Sequence, residues 1–321
     1  MANASPLSRF IVLLAVIALI SACNQQGTGT PVGTPFIGGQ RGLEVSFEPN
    51  APPAETFDGG SAPFDVVVRA RNLGEYALPK EKVTVSVLGL NPEEFSMKSS
   101  DLIKNAPEEL VPRRKDVQNN IVESNIVTTA FSGLNHKARI TGTALTFPIT
   151  AQVCYGYGTI AASQLCVRSD ILNPRPGGLC ELSGVKPVYN SGAPLQVENL
   201  VESPRAQNKI GFTFGIRQVD IEGRLFEKDS KCDTSVRGKE DKVFVDVKSL
   251  AGDIECQGLN GGTKSSNGFV QLYDKTKTIT CTQAIGAPGD YTFPITIELT
   301  YDFQSSVSAN LIVKHAETSS N

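Results

Sequence analysis

Apolar and polar residues alternate along much of this chain, with the period of a half-buried β-strand. Leu43-Glu44-Val45-Ser46-Phe47 is one such run, Phe64–Asn72 a second and Lys82–Leu88 a third, with Val83, Val85 and Val87 on one face. Turn-formers separate them at Pro52-Pro53, Gly59-Gly60 and Asn72-Leu73-Gly74. Between Asp101 and Leu134, Pro107 and Pro112 would interrupt any helix, and Ile126–Phe131 predicts another strand. In Thr146–Val167, Phe147, Ile149, Ala151 and Val153 alternate with Pro148, Thr150 and Gln152. Tyr157-Gly158-Thr159 predicts the turn of a hairpin that returns through Gln164–Arg168.

The same stretch recurs. Thr292–Val313 matches Thr146–Val167 at an offset of 146 residues without a gap: Thr-Phe-Pro-Ile-Thr is identical, and Leu165-Cys166-Val167 falls on Leu311-Ile312-Val313. Ile210–Ile216 falls on Phe64–Ala70 at that offset, and Asp241–Val247 on Glu81–Val87 at 160, so fourteen extra residues enter within Glu222–Lys239. Self-similarity of this kind predicts two domains of one plan. Short alternating strands, frequent turns and no long amphipathic helix predict an all-β fold of two tandem immunoglobulin-like β-sandwiches, at 43–172 and 208–316. Asn173–Gly178 predicts a boundary, so 173–207 reads as a Pro/Gly linker with the leading segment of the second domain, and 317–321 as a tail.

The N-terminus departs from this pattern. Arg9 precedes an unbroken apolar run of eleven residues, Phe10–Ile20, shorter than the ~20 that span a bilayer as a helix. It predicts a signal peptide over 1–22. Ile20-Ser21-Ala22-Cys23 resembles a lipoprotein signal, in which Cys23 becomes the lipidated first residue; the alternative is ordinary cleavage near Ala22. Residues 23–42, rich in Gly, Thr and Pro, then read as a lipid-anchored tether.

Setting Cys23 aside leaves six of the seven cysteines, an even number suited to three disulfides in an oxidising compartment. Cys154 and Cys166 fall on Thr300 and Ile312 in the second copy, so both are missing together, which predicts Cys154–Cys166 as a pair. Cys256 and Cys281 sit at what look like neighbouring strand ends, leaving Cys180 with Cys232.

Composition narrows the chemistry. A formal charge of −3 over 321 residues gives no broad basic field for nucleic acid. There are only two histidines, His136 and His315, and histidine is the commonest general base and transition-metal ligand. No Cys-x-x-Cys, His-Glu-x-x-His, Gly-Lys-Ser/Thr or Gly-x-Ser-x-Gly spacing occurs. The expectation is a protein without catalytic residues, metal or cofactor. Asp229, Asp233, Glu240 and Asp241 lack the order of a calcium loop and read as surface charge. Arg113-Arg114-Lys115 reads as a solvated loop among Glu108, Glu109 and Asp116, with an anionic polymer or lipid headgroup as the alternative. Tyr155, Tyr157, Tyr301 and Phe303, beside the expected turns, offer a contact surface or else pack on the sandwich.

Phe64-x-Val66-x-Val68-Arg69-x-Arg71-Asn72-x-Gly74, followed by Val83-x-Val85-x-Val87, resembles the CARDB-like immunoglobulin-type modules of archaeal cell-surface proteins. Cys154-Tyr155-Gly156-Tyr157-Gly158-Thr159 with Cys166 and Cys180 is similar to secreted archaeal proteins of unknown function. The resemblance implies an envelope protein with immunoglobulin-like folds and brings no catalytic residues. The expected function is therefore a lipid-anchored extracellular structural or protein-interaction role, with a membrane and an envelope protein as partners. The alternative is an accessory solute- or carbohydrate-binding lipoprotein with its ligand between the domains.

Overall fold

Strands form where the alternation predicts them. In this computed structural model, which describes residues 34–173, 177–286 and 289–316, the first half holds β1 (Leu43–Phe47), β2 (Glu55–Phe57), β3 (Phe64–Asn72), β4 (Val83–Leu88), β5 (Ile103–Asn105), β6 (Arg114–Lys115), β7 (Ile121–Val122), β8 (Ile126–Leu134) and β9 (Ala144–Val167). The second holds β10 (Gly184–Lys186), β11 (Tyr189–Asn190), β12 (Leu195–Ala206), β13 (Lys209–Gln218), β14 (Arg224–Phe226), β15 (Lys242–Ser249), β16 (Ile254–Gln257), β17 (Asn267–Gln271), β18 (Thr276–Ala284) and β19 (Tyr291–Lys314). The helical content among the described residues is two 3-10 turns, at Lys80–Lys82 and Ser99–Leu102.

The fold is an all-β sandwich. A nine-stranded sheet has the main order β17-β15-β19-β9-β4-β5, with β11 on β9 and β14 and β2 on β19. Two smaller sheets, β1-β3-β8 and β10-β12-β13-β18-β16, supply the opposing layer. The repeat is visible in both layers. Phe64–Ala70 and Ile210–Ile216 lie in β3 and β13, each interior to its small sheet. Strands β4 and β15 flank β9 and β19 in turn.

The Thr146–Val167 hairpin does not form. Strand β9 runs straight through Tyr157-Gly158-Thr159 for 24 residues, and β19 does the same. Alternation decides it: every odd position of β9 from Ile149 to Val167 is buried, with no break in period where a turn would shift it. Gly158 serves close approach instead, since a Cβ there would meet the Tyr76 ring at 2.5 Å.

The two long strands pair antiparallel over their full length, and Gly156 lies opposite Asp302. Those two residues are repeat equivalents at the 146 offset, so a pseudo-twofold axis passes between them. The sheet order is accordingly palindromic about β19-β9. Phe36 onward forms one compact unit in which the copies share the large sheet rather than following each other as separate beads.

Directly opposed residues share a sheet face, and the odd positions of β9 oppose odd positions of β19 and of β4. One face of the large sheet is thus apolar. It is covered by both small sheets: the Tyr155 hydroxyl accepts from Leu43 N at the start of β1 at 3.2 Å, and Thr159 Oγ1 donates to Leu195 O of β12 at 2.9 Å. The buried apolar residues form one continuous core, to which β19 contributes from Phe293 to Val313.

All six cysteines predicted to bond do so: Cys256–Cys281 pairs as expected, and the other four pair differently. The bridges are Cys154–Cys232, Cys166–Cys180 and Cys256–Cys281. A Cys154–Cys166 bridge is ruled out by the straight strand, which places its ends about 40 Å apart at the usual rise per residue. Cys180 is taken by Cys166, and Cys232 by Cys154. Both cysteines are missing from the second copy because each pairs with a segment that the repeat lacks, the insertion or the interdomain stretch. Cys256 and Cys281 face one another across β16 and β18. Beside Cys166, the buried Glu202 carboxylate accepts the Cys166 N–H and meets Lys186 Nζ at 2.9 Å; burial pushes its pKa up to about 7 against these partners.

The tether is shorter than expected. The Glu75 carboxylate accepts N–H groups from Ile37, Gly38 and Gly192 at 2.8–2.9 Å, binding the chain from Phe36 onward to the fold. Residues 23–33, the signal segment, Cys23 and the 317–321 tail lie outside the described residues.

A candidate functional site at the pseudo-twofold axis

The outer face of the large sheet carries its even positions, with Gly156 and Asp302 at the centre. The insertion crosses this point. Strand β14 pairs with β19 at Asp302–Gln304, and the loop after it turns back over Asp302. Asp229, Lys231 and Cys232 adopt left-handed backbone, φ 62, 55 and 54°, which aims successive N–H groups inward. The Asp302 carboxylate accepts from Lys231 N at 2.7 Å, Asp229 N at 3.2 Å and Ser230 Oγ at 3.3 Å. Burial raises its pKa, and these donors oppose the rise.

Both halves grip the loop. Lys82 Nζ meets Asp229 at 2.6 Å, and Lys242 Nζ meets Glu227 at 2.7 Å. Lys82 and Lys242 are repeat equivalents at the 160 offset, so one pseudo-symmetric pair of lysines holds two carboxylates of a single loop. The hydrogen bond from Lys82 to Asp229 raises the lysine pKa further. The Cys154–Cys232 bridge then fixes the loop to β9 covalently. Lys228 Nζ stands 3.5 Å from the centroid of the Phe244 ring, a cation–π contact on the sheet's outer face.

Between this clasp and the β3–β4 connection lies an open groove of about 430 Å³, bounded by Tyr76, Pro79, Lys82, Gly156, Lys228, Asp229 and Asp302. A smaller space of about 200 Å³ continues it past Thr84, Asn105 and Lys231. An aromatic ring, ammonium groups and carboxylates around a glycine floor form a surface suited to a polar solute with several hydrogen-bonding groups.

The opposite face of the same strand pair holds the four aromatics read as either a contact surface or sandwich packing. Tyr155, Tyr157, Tyr301 and Phe303 are at most 1% exposed, so they pack on the sandwich and offer no contact surface. The cause is parity: they occupy odd positions, and without a turn those positions face the core. Tyr155 opposes Phe303 and Tyr157 opposes Tyr301, with ring centroids 5.6 to 6.4 Å apart around the group. Their hydroxyls are satisfied: Tyr157 donates to Asn72 Oδ1 at 3.0 Å, Tyr301 bonds Thr159 Oγ1 at 3.0 Å, and Tyr155 bonds Ser305 Oγ at 3.2 Å. Burial drives all three phenol pKa values upward. Asn72 also accepts from Gly74 N and donates to Tyr76 O, which accounts for the Asn-x-Gly pattern as internal wiring.

The acidic residues of the insertion region are likewise engaged. Asp229 holds Lys82, Asp241 holds Lys275, Glu240 holds Arg224, and Asp233 accepts the Ser235 N–H. Among the described residues, no three His, Cys, Asp or Glu side chains gather as a metal site. The sequence reading missed Asp302 and the lysine pair. Their signal was available in the repeat itself, where a carboxylate replaces Gly156 and Lys82 recurs as Lys242.

No family model matches the chain, and a search of curated proteins finds no relative. Among solved structures there is a likeness to the envelope protein VP37 of White Spot Syndrome Virus, at 11% identity over 46% of this chain and 97% of that one, with a TM-score of 0.25. At that score the likeness carries no argument about function or fold.

Proposed function

We infer that this is a lipid-anchored protein of the cell envelope with a structural or protein-interaction role. The observation that carries the reading is the set of three disulfides, which marks an oxidising compartment, in a chain whose first residues read as a lipoprotein signal ending at Cys23. The resemblance to CARDB-like surface modules agrees with it. Mass spectrometry of the mature protein is expected to show an N-terminal Cys23 carrying acyl chains. An unmodified N-terminus elsewhere rejects the anchor, and crosslinking on intact cells that captures no envelope protein rejects the interaction role.

The groove favours a second reading, a solute- or carbohydrate-binding lipoprotein whose ligand lies at the junction of the two copies. Gly156 allows a clean test. The three atoms nearest a Cβ there are side-chain atoms of Asp302 and Lys82, at 3.5 to 3.8 Å, so Gly156→Leu projects a side chain from the groove floor. Calorimetric titration of a panel of mono- and oligosaccharides is expected to give binding to the wild type that Gly156→Leu abolishes. Equal binding by both, or by neither, removes this reading.

A further inference from the structure

We propose that the β6–β7 hairpin is a membrane-contacting element that seats the folded unit on an anionic lipid surface. The proposal rests in part on the lipid-anchor reading above. Strands β6 and β7 pair only with each other, outside both layers of the sandwich. Their turn is built to hold its shape: Asp116 Oδ1 accepts from Gln118 N at 2.9 Å and Asn120 N at 2.8 Å, and Asn119 takes a left-handed φ of 64°. This fixed turn presents Val117 at 92% exposure, with Ile121 and Val122 exposed behind it. Three exposed aliphatic side chains are thus gathered on one two-stranded hairpin.

Its charge fits the same partner. Arg114 is exposed on β6, beside a half-buried Lys115 whose Nζ is engaged by Phe36 O. Of the acids around them, Glu123 is occupied by Arg71 at 2.8 Å and Arg113 at 3.1 Å, and Asp116 is turned onto the N–H groups of its own turn. Glu108 and Glu109 precede the hairpin in sequence. Apolar residues beside basic ones suit an interface of acyl chains and anionic headgroups. Placement adds an independent argument. Lys115 Nζ donates to Phe36 O at 3.0 Å, so the chain enters the fold beside this hairpin, thirteen residues after Cys23. Thirteen residues reach at most about 45 Å when fully extended, so an anchored Cys23 confines the hairpin to the neighbourhood of the bilayer.

The chain contains no tryptophan, so V117W introduces a single indole at the tip. L250W places one at a site 96% exposed in the β15–β16 loop of the other half. Full-length protein is reconstituted in vesicles of phosphatidylcholine with phosphatidylglycerol, with and without brominated acyl chains. The V117W emission is expected to shift to the blue and to be quenched by the brominated chains, more weakly in phosphatidylcholine alone, while L250W stays solvent-like. An unshifted V117W signal in protein whose mass confirms acylated Cys23 overturns the hairpin proposal and leaves the anchor standing. A blue shift with added anionic vesicles in protein lacking the lipid supports the hairpin although the anchor reading has failed. A V117W response to an acidic protein but to no vesicle also overturns the proposal. Both substitutions are at exposed positions, and an unchanged melting temperature verifies the fold.

Discussion

Replacing both Cys154 and Cys232 with alanine is expected to lower stability by about 4.5 kcal/mol, the loop-closure value for a chain of this span. The two cysteines are separated by 78 residues, against 14 for Cys166–Cys180, whose removal is expected to cost about 3 kcal/mol on the same scale. Native contacts sharpen the difference. Without the bridge, the loop is held over Asp302 by β14 on β19, by the part-buried Lys242–Glu227 pair and by Lys82–Asp229, the last more than half exposed, where an ion pair contributes little. The clasp should therefore open locally before the sandwich melts. Calorimetry checks the ranking, and hydrogen exchange at Asp229–Lys231 checks the local opening. A loss no larger than that of the Cys166–Cys180 double variant would show that the insertion does not bind the two copies together.

Tyr157→Ala is expected to cost about 4 kcal/mol, in the range for emptying a buried aromatic site. The ring is 1% exposed and contacts Tyr76, Tyr155 and Tyr301 at centroid distances of 5.4, 5.6 and 6.4 Å. Neighbours cannot collapse into the space easily, because Gly74 is already in contact with the phenol: a Cβ on it would lie 2.1 Å from the Tyr157 hydroxyl oxygen. Tyr157→Phe keeps the ring and gives up the bond to Asn72, which still accepts from Gly74 N, so a loss of about 1 kcal/mol is expected. Denaturant titration of the two variants separates packing from hydrogen bonding. Similar losses in both would place the energy in the hydroxyl and contradict the packing account.

Much of the fold was legible because it is periodic. Val83, Val85 and Val87 face the core as their alternation requires, and the repeat correctly matched β3 with β13 and β4 with β15. Gly158 marks where local reading stopped. Glycine beside threonine is a turn signal, and only the Tyr76 ring, which is distant in sequence, shows that its missing side chain makes room for an aromatic neighbour. That turn left open whether Tyr155 and Tyr157 face the surface or the core, whereas the Cys154–Cys166 pairing came from the joint absence of both cysteines in the second copy. The candidate site was less legible. Its parts come from the β3–β4 connection, both long strands and the insertion, and sequence patterns carry no record of which loop folds over which face. Asp302 reads as one more acidic residue until three donors are seen to converge on it.

The pairing of β9 with β19 also constrains how the chain can acquire its structure. Leu311 and Val313 complete the core that begins at Leu43, and β2 docks in parallel on the end of β19. A nascent chain that has exposed only its first copy therefore lacks the part of the shared core that β19 supplies. Contacts of such long sequence separation form slowly, so the first half should remain incompletely packed until β19 arrives. Under the export proposed above, this delay would hold the first half loosely packed until the second has been made. It also means that truncation within β19 should unfold the half of the molecule farthest from it in sequence.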